Sequence, residues 1–83
     1  MALRDVQIPI EEIYVPSKRR QTLDAQKVEA LALDILEHGQ TTPIWVRRDE
    51  TRYVLVEGFH RLEACRTLGE STITAQVVQA RQH

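Results

Sequence analysis

An apolar run at residues 53–56 stops just before Gly58, and a short helical pattern follows at once. This order predicts a strand, a glycine turn and a helix, and the rest of the chain must be built around that connection. Such a turn aims backbone N–H groups at one point, and the helix N-terminus adds partial positive charge there. His60 and Arg61 stand where the helix begins and add two side-chain donors. The stretch at 57–69 therefore favours binding of an anion, and phosphate suits it best.

Length and charge restrict the classes of protein that the chain can represent. Its 83 residues predict one small domain, residues 1–83, with a single thin core. The formal net charge of -1 excludes a global basic field for nucleic acid, although a local basic patch can still form. The sequence contains neither an apolar run long enough to span a membrane nor a signal-peptide pattern. We therefore expect a cytoplasmic protein with no membrane partner.

Cysteine and histidine usage argue against disulfide and metal chemistry. Cys65 is the single cysteine, so the chain can form neither an intramolecular disulfide nor a cysteine-based zinc site. It falls among Leu62, Ala64 and Leu68 on the inward face of a predicted helix, which favours a small buried hydrophobe. The histidines at positions 38, 60 and 83 do not have the spacing of metal ligands, and no metal site is predicted.

The N-terminal part of the chain predicts a strand followed by a basic loop. Apolar residues alternate at positions 6, 8 and 10, which is the period of a strand. Pro9 cannot donate to a sheet, so this strand is expected to be short or to lie at an edge. Residues 17–21 predict a polar, basic loop.

A long amphipathic helix is predicted from Ala25 to His38. Thr22 or Asp24 can cap its start, and Gly39 follows its end. Its apolar positions have helical spacing, and they are Val28, Leu31, Ala32, Ile35 and Leu36.

The C-terminal half predicts a hairpin, the second helix and a last strand. The hairpin pairs residues 43–48 with 52–56, the helix covers about 60–68, and the last strand surrounds the alternating apolar positions 73, 75 and 77. The polar tail at 79–83 is expected to fray. These elements predict an α/β (α+β) domain with a small mixed sheet and two main helices.

The glycine turn matches neither of the common phosphate-binding fingerprints, G-x-x-x-x-G-K-[ST] and G-x-G-x-x-G. Its own motif, G-x-H-R at 58–61, is short, and its place between a hairpin and a helix strengthens the prediction of a binding turn. Glu57 and Glu63 flank this motif and suit ion pairs with Arg61 or Arg66 better than they suit a nucleotide-bound Mg²⁺.

Four motifs carry a family resemblance. The first is G-x-x-R-x-x-A at 58–64 with L-G at 68–69, the second is G-x-H-R at 58–61, and the third is H-G at 38–39 followed by P-I-x-V at 43–46. The fourth is the stretch at 23–31, which contains Lys27. The first and third resemble the ParB N-terminal domain, and the second and fourth resemble sulfiredoxin, which shares its fold. The resemblance extends over about residues 8–78.

The resemblance implies that the turn and its basic residues bind nucleotide phosphates. The implied ligand is ATP or CTP with Mg²⁺. The implied binding residues are Gly58, Phe59, His60 and Arg61 of the turn, and Lys27, which matches the ATP-contacting lysine of the sulfiredoxin helix.

The chain departs from both families at Phe59. Sulfiredoxin places its catalytic cysteine between the glycine and the histidine, and phenylalanine offers no nucleophile. ParB has Glu and Arg where this chain has Phe59 and His60, and its helix-turn-helix is not found in these 83 residues. The chain is therefore not expected to be a sulfiredoxin, and at most it is expected to be a slow nucleoside triphosphatase or phosphotransferase.

Two alternative functions remain open from the sequence. One is a ParB-like nucleic-acid-binding module, in which a basic patch contacts phosphates of DNA. Its residues would be Lys18, Arg19, Arg20, Arg47 and Arg48. The other is a protein-interaction module without catalytic activity, which an exposed Trp45 would favour.

Overall fold

A five-stranded mixed sheet forms the frame of the chain in a computed structural model that describes residues 3–79. The strands are β1 (Asp5–Pro9), β2 (Ile13–Tyr14), β3 (Ile44–Asp49), β4 (Arg52–Glu57) and β5 (Thr72–Val77). The helices are α1 (Ser17–Arg20), α2 (Ala25–His38) and α3 (Phe59–Thr67), with a 3₁₀ turn at Ile10–Glu12. The α/β fold with a small mixed sheet and two main helices, predicted from the sequence, is confirmed.

The spatial order of the strands is β1-β5-β3-β4-β2. β1 pairs antiparallel with β5, and β3 pairs antiparallel with β4 in the predicted hairpin. β5 runs parallel to β3, and β2 runs parallel to β4. β1 is therefore an edge strand, and Pro9 ends it at a position where its missing N–H disturbs the sheet least.

The core fills the space between one face of the sheet and the two main helices. Partners in the sheet that share this face are apolar, for example Ile8 with Ile73 and Ile44 with Ala75. α3 inserts four buried residues, Phe59, Leu62, Ala64 and Cys65, and α2 adds Ala32 and Ile35. This arrangement holds the start of α3 against the end of β4, so the glycine turn is fixed by the core beneath it.

Three sequence predictions need correction. The basic segment expected as a loop forms the short helix α1, in which the Pro16 carbonyl accepts the N–H groups of Arg19 and Arg20, whose side chains bond to the carbonyls of Val56 and Val15. Leu36, expected on the buried stripe of α2, is 72% exposed. α3 begins at Phe59, one residue earlier than predicted, since Gly58 is its N-cap.

Helix α2 has the predicted bounds, and of the two proposed caps, Thr22 and Asp24, it is Asp24 that caps its start. The Asp24 side chain accepts from the N–H groups of Gln26 and Lys27, at 3.0 and 3.4 Å. Along residues 3–79 no helix combines the length and the hydropathy needed to cross a membrane. The tail predicted to fray lies, from position 80 onward, outside the described residues.

Candidate functional site

The turn between β4 and α3 depends on Gly58. Its φ of 107° and ψ of 32° lie in the left-handed region, which glycine adopts readily. Its carbonyl accepts the N–H of Leu62 at 2.9 Å, which starts the α3 ladder. No side chain in the described part of the protein caps this end, so the first N–H groups of α3 are left without an intrahelical or side-chain acceptor. They are available to an anion outside the helix.

The turn forms one wall of a cleft of about 500 Å³, and α2 forms the other. All five residues predicted for nucleotide binding line this cleft: Lys27, Gly58, Phe59, His60 and Arg61. The other lining residues are Arg19, Thr22, Ala30, Leu31, Asp34 and Glu57. The structure therefore brings together residues that are about thirty positions apart in the sequence.

The guanidinium of Arg61, a residue that lines this cleft, contains an unsatisfied donor. Its Nη1 atom is buried and has no hydrogen-bond partner among residues 3–79. A guanidinium nitrogen that is withdrawn from water without an acceptor costs free energy, and the cost is larger for a charged group than for a neutral one. A carboxylate or phosphate in the cleft is the kind of acceptor that this nitrogen lacks.

His60 is engaged differently from what the sequence suggested. Its Nε2 accepts the backbone N–H of Asp24 at 3.1 Å, which joins the start of α3 to the start of α2. The bond requires Nε2 to be unprotonated, so the neutral ring carries its proton on Nδ1. His60 thus braces the helix that carries Lys27, and only Nδ1–H is left to donate to a ligand.

Phe59 contributes a wall and a backbone N–H. Its side chain is 6% exposed and belongs to the core, with its ring centroid 5.4 Å from that of His60. At this position, where sulfiredoxin has its catalytic cysteine, the cleft therefore holds no nucleophile.

Arg19 and Asp34 line the cleft although the sequence analysis did not place them there. Arg19 donates to the Val56 carbonyl and lies 3.3 Å from Glu57 Oε1, which closes one end of the cleft. Asp34 stands two turns after Lys27 on the same face of α2, and its Oδ1 is 3.1 Å from His38 Nδ1. The spacing of seven residues between Lys27 and Asp34 was the signal in the sequence for a shared face.

Three of the five residues suggested as a basic patch lie apart from one another: Arg19, Arg47 and Arg48. Arg19 turns into the cleft, and Arg48 donates to the Tyr53 hydroxyl at 2.9 Å. Arg47 and Arg48 are neighbours in β3, so they point to opposite faces of the sheet. These three side chains are therefore divided between the cleft and the two faces of the hairpin.

Carboxylates near the turn are occupied by protein cations. Glu57 pairs with Arg19, and Glu63 pairs with Arg66 at 3.4 Å, as the sequence favoured for Arg66. Residues 3–79 contain no group of three His, Cys, Asp or Glu side chains able to hold a metal ion.

Cys65 is shielded beneath the site. It is 2% exposed and stands one turn after Arg61 on α3. Burial, and then the carboxylate of Glu70, raise the pKa of its thiol, while the Arg61 guanidinium opposes them with a smaller effect. The thiolate is disfavoured, which agrees with a small buried hydrophobe.

Relatives of the chain agree with this architecture. The nucleoid occlusion protein of Halalkalibacterium halodurans is 41% identical over 71 residues, which cover 83% of this chain and 25% of that protein. The chain thus spans about a quarter of the length of this curated relative. Sulfiredoxin from Arabidopsis thaliana superposes with a TM-score of 0.83 at 32% identity, covering 93% of this chain and 86% of that one.

A solved partitioning protein has the same fold. The C-terminally truncated ParB from Caulobacter crescentus, complexed with CTP-γ-S, superposes with a TM-score of 0.81 at 28% identity, covering 95% of this chain and 46% of that one. Complexed to the centromeric parS site, the same protein gives a TM-score of 0.73 at 28% identity, covering 93% and 40%. The ParB N-terminal domain family matches residues 2–83 of the sequence. Because that match extends over nearly every residue, the chain belongs to the ParB N-terminal domain family.

Proposed function

We propose that the cleft between α2 and α3 binds a nucleoside triphosphate by its phosphates, with ATP and CTP as the candidates. The observation that carries the proposal is the buried Nη1 of Arg61, which lacks a partner within the described residues. A phosphate oxygen is the acceptor that would satisfy it. The free N–H groups after Gly58, at the N-terminus of α3, also favour negative charge beside the residues that line the cleft.

Lys27 and His60 would complete the phosphate site. Lys27 lies across the cleft on α2 and supplies a mobile positive charge, whereas Arg61 supplies a fixed planar one. Nδ1–H of His60 would donate, because Nε2 is held by Asp24. Mg²⁺ would have to arrive on the polyphosphate, since its usual coordination in such sites is by substrate phosphates and water.

The base would lie along α2. Ala30 and Leu31 give this wall an apolar surface, and Asp34 offers an acceptor beyond them. The separation of Lys27 and Asp34 by seven residues corresponds to about 10 Å along the helix. That length suits a ligand with charged phosphates at one end and a neutral ring at the other.

The relatives of this chain are larger proteins that contain a similar domain as one part. The relatives that match are several times longer, and their names describe nucleoid occlusion and chromosome partitioning. We propose that this chain supplies the nucleotide-binding part of such a protein. Binding without rapid turnover is expected, because Phe59 leaves the cleft without a reactive group at the position where related chains carry one.

Calorimetric titration with ATP, CTP, GTP and UTP, with and without Mg²⁺, tests the proposal. Arg61→Ala should weaken binding about tenfold or more, since a charge-assisted hydrogen bond contributes roughly 1.5–3 kcal/mol. The matched control is Arg66→Ala, which removes an arginine from the same helix at a position outside the cleft. Equal affinities for the two variants and the unchanged protein would refute the assignment of Arg61.

A further inference from the structure

The face of the sheet opposite the core is divided into two chemically different halves. The registers place Asp5, Gln7, Thr72, Thr74 and Gln76 in one half, on β1 and β5. We call this the polar half. The other half, on β2, β3 and β4, carries Tyr14, Trp45, Arg47, Arg52 and Val54. We call this the aromatic half.

The side chains of the polar half form hydrogen bonds with one another. Gln76 Nε2 donates to Asp5 at 2.9 Å, Gln7 Nε2 donates to the Thr74 hydroxyl at 2.6 Å, and the Thr72 hydroxyl donates to Gln7 at 3.2 Å. These cross-strand bonds are the usual way in which a sheet face turns towards water. The polar half therefore shows no sign of a missing partner.

The aromatic half has free groups. Trp45 is 45% exposed and, within residues 3–79, makes neither a hydrogen bond nor an aromatic or cation–π contact. Arg47, two residues further along the same strand, has no hydrogen bond or ion pair in the same range. A large π face and an unpaired guanidinium are thus presented side by side on a flat surface.

The ring of Tyr14, the second aromatic side chain of this half, lies beside two guanidinium groups. The guanidinium of Arg52 lies 4.2 Å from the centroid of Tyr14, and that of Arg20 lies 6.0 Å from it. Asp49, on this face, is 3.5 Å from Arg52, and Asp5 accepts a hydrogen bond from Gln76, the neighbour of Trp45 in register on β5. Glu57, opposite Trp45 in register, is paired with Arg19. The surplus charge around the two rings is positive.

We propose that the aromatic half binds single-stranded nucleic acid, with a base stacked on Trp45 and the backbone phosphates held by Arg47 and Arg52. Exposed aromatic rings flanked by basic groups on a sheet are the elements that bind unpaired strands with little sequence preference. A duplex hides its base faces and cannot use Trp45 in this way. The site is separate from the nucleotide cleft, which lies on the helical side of the sheet.

A protein partner fits the aromatic half less well. Val54, at its centre, is only 4% exposed, so the accessible apolar area reduces to the rings of Trp45 and Tyr14. Stable protein interfaces also use Trp, Tyr and Arg, but they include a larger fully buried apolar centre than these two rings provide. The positive surplus matches a polyanion.

The single tryptophan of the chain makes the test direct. The probe is an oligothymidylate of about 12 nucleotides, within the range of sites of this type. Stacking of a base on Trp45 should quench its emission as the oligonucleotide is added at low salt. A titration that binds without any quenching, or no binding at all, would overturn the proposal.

Variants then assign the contacts by fluorescence anisotropy of labelled oligothymidylate. Trp45→Ala should weaken binding about tenfold, whereas Trp45→Phe, which keeps a ring, should retain most of it. Arg47→Ala should weaken binding and reduce the salt slope by about one. Gln7→Ala, in the polar half, is the matched control and should bind like the unchanged protein. Unchanged affinity of Trp45→Ala, with thermal unfolding showing the variant folded, would refute the stacking.

Two further comparisons separate this surface from other binding modes. A duplex of the same length should bind more weakly than the single strand, and equal affinity would contradict stacking on Trp45. Arg61→Ala and saturating CTP should leave oligothymidylate binding unchanged. If either one abolishes it, the strand occupies the cleft and the proposal for the sheet face is wrong.

Discussion

Ile44 occupies the space in which any side chain at position 58 would lie. A Cβ built on Gly58 would come 2.6 Å from Ile44 Cγ2 and 3.3 Å from Ile44 Cα, and the φ of 107° already disfavours other residues. Gly58→Ala should therefore destabilise the protein by about 2–4 kcal/mol, since backbone strain and overpacking add.

Urea unfolding checks the expected loss. Gly69→Ala is the control, because Gly69 also has a positive φ, of 79°, but nothing lies within 4 Å of the position of its added Cβ. It should cost only about 1 kcal/mol. Equal losses in the two variants would show that contact with Ile44 is not what requires glycine at 58.

The hydrogen bond from the Asp24 N–H to Nε2 of His60 determines which tautomer the histidine ring adopts. Because Nε2 accepts a backbone N–H, nitrogen NMR shifts should show Nε2 unprotonated and Nδ1 protonated. His60→Ala should cost about 1 kcal/mol or more and speed hydrogen exchange at the Asp24 amide. A spectrum with the proton on Nε2 in the folded, ligand-free protein would contradict the bond.

The buried thiol of Cys65 gives a pH dependence of stability. Its pKa is raised in the folded protein above the ordinary value of 9.0, so the unfolded chain loses this proton first as pH rises. Stability contributed by the protonated thiol is therefore complete below the ordinary pKa of 9.0, and it is lost as pH rises from there through the raised pKa of the folded protein. Urea unfolding of Cys65→Ala should show a smaller loss between pH 8 and 10 than the unchanged protein, and thiol reagents should label native Cys65 slowly.

Neighbouring residues on α2 should differ strongly in their contribution to stability. Ile35 is 8% exposed and Leu36 is 72% exposed. Ile35→Ala should cost about 2–4 kcal/mol, whereas Leu36→Ala should stay within about 0.5 kcal/mol. The two unfolding midpoints measure this directly, and a large loss for Leu36→Ala would mean that its side chain is covered in solution.

A nucleoside triphosphate should bind more tightly than a short duplex at physiological salt. The donors proposed for phosphate line one cleft, whereas the net charge of -1 provides no overall attraction for a duplex. Competition between labelled CTP and a short duplex, followed by a phosphate-release assay, tests both affinity and turnover. Tight duplex binding without nucleotide binding, or rapid Arg61-dependent release, would contradict this prediction.

Elements with local signals at both ends were predictable from the sequence. α2 has a capping Asp24 at its start and Gly39, with a φ of 78°, at its end, and its predicted bounds match the structure. α1 lacks such signals. It depends on Arg19 reaching the Val56 carbonyl and Glu57, contacts that close a loop of more than thirty residues. Tertiary contacts of this kind leave no periodic pattern in the sequence.

The part of the candidate site that has a local sequence signature was predictable, and the part that depends on tertiary contacts was not. The turn has a local signature, and Lys27 was placed opposite it through the family resemblance. The role of Nε2 in His60 was not predictable, because its partner is a backbone N–H 36 positions away. The face of α2 that lines the cleft was visible as helical spacing, yet spacing alone does not say which side of a helix meets which neighbour.

The pairing of β1 with β5 has a consequence for synthesis on the ribosome. Within this sheet, β1 is synthesised before the other strands and pairs only with β5, which is synthesised after them, since Asp5 pairs with Gln76 and Pro9 with Thr72. Until β5 has left the exit tunnel, β1 is an unpaired edge that carries Ile8 exposed to other nascent chains. The central hairpin of β3 and β4 needs no such delay, because its partners are only a few residues apart. The sheet is therefore complete only after β5 has emerged from the ribosome.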